Sequence, residues 1–204
     1  MSTIDKHIFH SEVVSALIKE ALAFFDKTPL ERLPLKEAFT GAGVYALYYT
    51  GNYDQYAFYA KRSTRIPIYI GKAVPQGWRQ GRLTSVAKSR ELFRRVNEHA
   101  KNIAQSENLS AEDFEARFMI FRDDTANLIS TIESSLIRKY SPLWNSVIDG
   151  FGNHDPGSGR YNQAVSEWDA LHPGRMWVER LTGQKPVLEQ VIEKIRKYVS
   201  GLDE

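Results

Sequence analysis

The chain contains no cysteine. That excludes disulfide staples, thiolate zinc sites and cysteine nucleophiles. No apolar run approaches the roughly 18 residues of a membrane span. The opening segment, MSTIDKHIFH, lacks the basic-then-apolar order of a signal peptide. There is no HExxH and no GxSxG. Gly71-Lys72-Ala73 lacks the earlier glycine and the Ser/Thr of a P-loop. An excess of either charge is missing too: 27 Lys+Arg stand against 25 Asp+Glu, a formal net charge of +2. What remains is ordinary for a globular protein, with 42% apolar and 25% charged residues. The length of 204 residues suits one domain with extensions, or at most two small ones. The expectation is a cytoplasmic protein with no membrane partner.

The small net charge conceals a separation. Between Lys61 and Lys101 there are 11 basic residues and only 2 acids, Glu91 and Glu98, a local charge of +9. The rest of the chain carries −7. A basic segment inside a near-neutral protein is the footprint of phosphate binding or, more plainly, a solvated basic face.

Residues 11–25 carry Val13, Val14, Leu17, Ile18, Ala21 and Leu22 at helical spacing behind a capping Ser11. Residues 43–50 and 66–71 read as strands, the second with Pro67 near its start. A loop with Gly77 and Gly81 leads to a long polar helix over 86–105. Residues 114–121 read as a third strand, and 126–140 as an amphipathic helix stopped by Ser141-Pro142. A glycine-rich loop over 149–160 and a last amphipathic helix over 187–199 follow. The pattern predicts an α+β fold with a small three-stranded sheet covered by helices.

Five features stand in order along this frame: Gly43-Val44-Tyr45, Tyr69-Ile70-Gly71, the helical pair Arg95 and His99, Glu133, and Asn145. Arg95 and His99 are four apart and share a helix face. Glu133 lies beside Ile129, Leu136 and Ile137 on an apolar stripe, where a carboxylate is costly unless paired or metal-bound. Phosphodiester hydrolysis needs a base for water, a cation for the phosphate oxygens and a carboxylate-held metal for the leaving oxygen. A lone Glu, an Arg, a His and two Tyr meet that list. Each also has a plainer reading: sheet aromatics for the tyrosines, a solvated helix face for Arg95 and His99, a stripe-edge position for Glu133, a turn for Asn145.

In their joint order these residues resemble the GIY-YIG nuclease superfamily, over roughly residues 41–146. The Arg-x-x-x-His pair brings the likeness closest to the GIY-YIG type II restriction endonucleases. The segment Trp168 to Arg175 resembles the region following the core in that subgroup. The resemblance implies a three-stranded antiparallel core over 41–146 with an insertion at 50–66. A helical arm over 1–40 would precede it, and a loop-and-helix extension over 147–204 would follow. It implies one-step hydrolysis with Mg²⁺, replaceable by Mn²⁺, and Glu133 as its sole carboxylate ligand. Tyr45 would contact the attacking water, Gly43 favouring it over Tyr49 as the motif tyrosine, with His99 accepting its hydrogen bond. Tyr69 would lie near the scissile phosphate. Lys72 would bind phosphate or lower a neighbouring pKa. Arg95 would stabilise the transition state, and Asn145 would support the site.

Double-strand cleavage from one site per chain implies a homodimer on a palindromic target in double-stranded DNA, and the resemblance to the restriction subgroup implies that the target would be GC-rich. The insertion and the loops 75–85 and 149–162 hold side chains suited to base edges. Arg79, Arg82 and Lys88 are expected to grip phosphates. Some of Arg62, Arg65, Gln76, His154 and Arg160 are expected to read bases. A bacterial restriction-modification system is the implied setting. The competing readings are a nicking or structure-specific repair nuclease and a non-catalytic DNA-binding module.

Overall fold

The computed structural model describes residues 3–61, 65–75 and 86–202. Arg62, Gln76, Arg79 and Arg82 lie outside the described residues.

Helix α1 (Glu12–Lys27) begins where Ser11 Oγ accepts the amide of Val14 at 3.3 Å. Such a cap satisfies a donor that has no partner within the helix. Ala21 and Phe25 turn inward, while Val13, Leu17 and Phe24 stay exposed.

The sheet has four strands rather than the expected three. Its order is β1 (Leu30–Arg32), β4 (Phe114–Phe121), β2 (Ala42–Tyr49) and β3 (Tyr69–Ala73), and every neighbouring pair is antiparallel. The added strand has three residues, two of them charged, and carries no periodicity to read. Short, charged strands are the usual form of a sheet edge, because they resist pairing with other chains.

All eight residues of β2 are buried. Val44, Ala46 and Tyr48 face α1 and helix α4 (Ile129–Tyr140), where they meet Phe25, Ile129, Ile132 and Leu136. Tyr45, Leu47 and Tyr49 face helix α3 (Glu91–Ala104) and the C-terminal elements, where they meet Val96, Ile103, Trp144 and Phe151. Helices therefore cover both faces of the sheet. A strand buried on both sides reads as a continuous apolar run, as this one does.

Strand β3 starts later than its sequence predicts and runs further, to Ala73. Pro67 cannot donate to the ladder and precedes the paired stretch. Lys72 is thereby a strand residue, on the α4 face together with Ile70. The predicted helix over 86–105 is divided. Val86–Lys88 form one 3-10 turn, and α3 starts afresh at Glu91, whose amide is accepted by Ser89 Oγ at 3.2 Å. Helix α4 likewise follows a 3-10 turn, Asp123–Leu128. Its left-handed cap at Ser141 leads into Pro142.

The insertion holds helix α2 (Ala57–Lys61), and two of its tyrosines pack into the core. Tyr56 and Tyr59 are buried. Tyr56 Oη is 2.5 Å from His172 Nε2 and accepts from Trp144 Nε1 at 3.0 Å. Short helices α5 (Leu143–Ser146) and α6 (Glu167–Leu171) precede the last, α7 (Leu188–Ser200). Among the described residues no helix is long and apolar enough to cross a membrane.

One glycine sets how closely the sheet holds its tyrosines. Gly71 pairs with Tyr45, and a Cβ on Gly71 would stand 2.5 Å from Tyr45 Oη and 3.1 Å from Tyr69 Cε1. Both rings are confined by packing, so Gly71→Ala is expected to destabilise the fold by about 1–3 kcal/mol in urea denaturation. A change under roughly 0.5 kcal/mol would show that the phenol does not need that space.

Candidate active site

The alternation of β2 and β3 sorts the functional side chains. Tyr45, Tyr69 and Gly71 share the face covered by α3. On α3, the four-residue spacing aims Arg95 and His99 back at them. Tyr45 Oη and His99 Nε2 are hydrogen-bonded at 2.6 Å. Both residues are almost wholly buried, at 1% and 0% exposure. The exposed-face reading of His99 is therefore excluded. Tyr49, two pleats further along β2, instead accepts the Tyr53 amide at 2.7 Å and stands apart from this group.

Burial governs the electrostatics here. It pushes the Tyr45 phenol well above its ordinary value, reinforced by neighbouring Tyr69 and opposed by Arg95. Tyr69 is raised by burial, with Arg95 opposing and Glu133 adding to the rise. His99 is driven well below the usual histidine value by burial, then by the Arg95 charge, with a protonated His154 and Arg175 acting in the same direction. At neutral pH the pair is a neutral phenol on a neutral imidazole. His99 Nδ1 has no hydrogen-bond partner among the described residues.

Lys72 projects to the other face, toward α4. Its ammonium donates to Glu133 Oε2 at 2.6 Å, and the two side chains are 24% and 16% exposed. The carboxylate on the apolar helix stripe is therefore paired, one of the two ways its cost can be met. Because β3 is the sheet edge, Tyr69 feels both Arg95 from one face and Glu133 from the other. Asn145 closes it. Its side chain accepts from the Ile70 amide and donates to the Ile70 carbonyl, both at 2.8 Å. It thus takes the place of a fifth strand and anchors the Tyr69-Ile70-Gly71 backbone.

Arg95 lies between helix and loop. Its Nη1 is 3.3 Å from Glu98 Oε2 and donates to His154 Nε2 at 2.7 Å. Phe151 stacks on His99, with centroids 4.6 Å apart and planes 20° apart, and meets Tyr69 edge-on at 4.8 Å. Arg175 supports that loop, donating to the carbonyls of Gly150 at 3.3 Å and Phe151 at 2.7 Å. Phe151 and Arg175 were missed in the sequence. An aromatic between two glycines, Gly150-Phe151-Gly152, was the available signal.

The expected DNA contacts are dispersed. Arg65 pairs with Glu115 on β4. Lys88 is exposed at the end of its turn. Arg160 is exposed, its Nε donating to the Pro156 carbonyl at 3.1 Å. Much of the basic segment is locally balanced: Arg94 pairs with Glu91 and Glu98, and Lys72 with Glu133.

The sequence family described as the Eco29kI GIY-YIG domain matches residues 37–199. The chain belongs to the Eco29kI GIY-YIG family. None of the curated proteins matches it. Membership makes the chain a nuclease-domain protein, and the buried tyrosine–histidine pair with its adjacent arginine is the polar centre of that domain. The Eco29kI GIY-YIG family implies a metal. Among the described residues no three His, Asp or Glu side chains gather to hold one. Glu133 is a single hard oxygen donor, which fits Mg²⁺ only where water and phosphate oxygens complete its shell.

The histidines yield a pH prediction. Each one whose folded pKa is depressed adds stability that is complete above its unfolded value and lost as pH falls. His172 is pushed down to about 3, by burial and then by Arg175. Stability should therefore decline on acidification from about pH 6.5. In NMR titrations the His99 and His172 rings should remain neutral well below that value. Titration of either ring near 6.5 in the folded protein would contradict the assignment.

Proposed function

We propose that the chain is a type II restriction endonuclease. It would cut both strands of DNA at a specific palindromic, GC-rich site by Mg²⁺-dependent hydrolysis, acting as a homodimer in the bacterial cytoplasm. The observation that carries this reading is the buried Tyr45–His99 hydrogen bond beside Arg95, with Tyr69 subject to both Arg95 and the Lys72-paired Glu133. One carboxylate centre per chain can cut one strand, so a duplex break calls for two chains related by a twofold axis.

In this scheme the imidazole proton of His99 sits on Nδ1, and the Tyr45 phenol donates to Nε2. The phenolic oxygen accepts a proton from the attacking water as its own proton moves to His99. Burial and Arg95 disfavour a charged His99, so the relay is poor in the free protein. A DNA phosphate against Arg95 offsets that positive charge, and the relay becomes competent when substrate is bound. Arg95 then neutralises charge growing on the phosphate oxygens. Tyr69 borders the same space and orients the phosphate. Glu133 would hold Mg²⁺, which when bound supplies charge stabilisation at the leaving oxygen. Lys72, displaced from Glu133, is free for a phosphate oxygen. Lys88 and Arg160 contribute exposed positive charge for the backbone on either side.

The test is purified protein with plasmid and Mg²⁺, followed by sequencing of the ends. Discrete fragments sharing a palindrome are expected. Nicked circles with no consensus would replace this reading with a nicking nuclease, and no cleavage with Mg²⁺ or Mn²⁺ would remove catalysis altogether. Glu133→Gln should lower the cleavage rate by about 10²-fold or more while specific binding persists. Wild-type cleavage by that variant would refute the metal assignment.

A further inference from the structure

Arg95 has two partners at one nitrogen, and Tyr45 is a further hydrogen-bond partner of its guanidinium. Glu98, three residues on along α3, is a carboxylate 3.3 Å from Nη1. The opposing partner comes from the loop after α5, where His154 Nε2 is 2.7 Å from the same Nη1. Arginine only donates, so this ring nitrogen carries no proton and the histidine is neutral.

The loop has the support such a role requires. At Gly152 an added Cβ would stand 3.5 Å from Tyr69 Oη and 3.7 Å from Arg95 Nη2, so the backbone passes directly over both. Gly150 has φ +101°, and Ser166 fills the place of its missing side chain. Beneath the loop lies Arg175, at 2% exposure, paired with Asp169 at 3.2 Å and 4.0 Å from the Trp168 ring. Its two donated bonds hold the carbonyls of Gly150 and Phe151. A buried ion pair is thus connected through one short loop to the arginine of the site.

We propose that His154 is a positioning residue: its neutral ring shares Arg95 Nη1 with Glu98 and, by pulling from the loop side, holds the guanidinium over Tyr45 and Tyr69. This rests on the nuclease reading for its purpose, though not for its geometry. The role differs from reading a base, which the position of His154 in an exposed loop had implied.

The clamp is pH-sensitive. The charged groups acting on His154 are Arg94, Arg95 and Glu98 of α3 and Arg175 of the C-terminal segment. Asp155, Arg160 and Asp169 line the same small polar cavity of about 270 Å³. Burial and then Arg95 lower its pKa, with Glu98 opposing. Protonation would set two cations against each other and release Arg95.

The decisive experiment uses the full chain without DNA. The Arg95 guanidinium is followed by ¹⁵N NMR, assigned through Arg95→Lys, in wild type, His154→Ala and His154→Gln. Restricted guanidinium motion is expected in wild type, free motion in the alanine variant, and restoration by glutamine, whose carbonyl can accept. The wild-type restraint should be lost on acidification, and the glutamine variant should keep it. Unchanged motion in His154→Ala would overturn the proposal. Single-turnover cleavage should fall by about tenfold to 10²-fold in His154→Ala, with the same sites cut and unchanged affinity. Altered site choice with an unmoved Arg95 would make His154 a base reader instead. If wild type cuts no DNA, the nuclease reading fails, while the Arg95 spectra still decide the clamp.

Discussion

The hydrogen bond between Tyr45 and His99 is the contact to which the rest of the site is fitted. Both groups are polar and both are out of water, so each satisfies the other or stands orphaned at a cost of about 1–3 kcal/mol. That constraint reaches outward. Tyr45 requires a strand buried on both faces and a neighbour, Gly71, with no side chain. His99 requires a helix laid against that strand, and Phe151 stacked above it to exclude solvent. Arg95 follows from His99 by a single helical turn.

The charges around this buried centre come in pairs. The basic segment from Lys61 to Lys101 is not a bare positive face. Arg65, Lys72, Arg94 and Arg95 each meet a carboxylate. Two of those pairings, Lys72 with Glu133 and Arg95 with Glu98, lie at the site itself. Substrate phosphate and a metal would compete for these same groups. On this account the free protein holds its reactive charges against one another, and binding exchanges those partners for DNA. Among the described residues Lys88 and Arg160 are exposed without a carboxylate partner, and any phosphate contact they made would carry the salt dependence of such contacts.

Much of this was legible in the sequence, for identifiable reasons. Helices α1 and α7 and strand β4 were readable because a long period leaves a long record. The motif residues were readable because five of them fell in order on the right elements. Strand β1 was not, since three residues with two charges show no period. The start of β3 was misplaced because Ile66-Pro67-Ile68 has strand composition, while Pro67 lacks the donor that pairing requires. The tyrosines of the insertion look like surface aromatics along the chain. Only the arrival of Trp144 and His172 from far downstream makes Tyr56 a core residue. Arg175 and Phe151 were hidden for the same reason. Their role lies in contacts with residues from distant parts of the chain, and the Gly150-Phe151-Gly152 pattern marks a tight loop without saying what it packs on.

The central claim is chemical: Tyr45, backed by His99, directs a water at phosphorus and forms no bond to it. The stereochemistry at phosphorus tests this directly. The protein would be given an oligonucleotide with a chiral phosphorothioate at the cut bond in ¹⁸O water. Direct attack by water in one step predicts inversion of configuration. Retention would mean two displacements through a covalent enzyme intermediate, and would contradict the account.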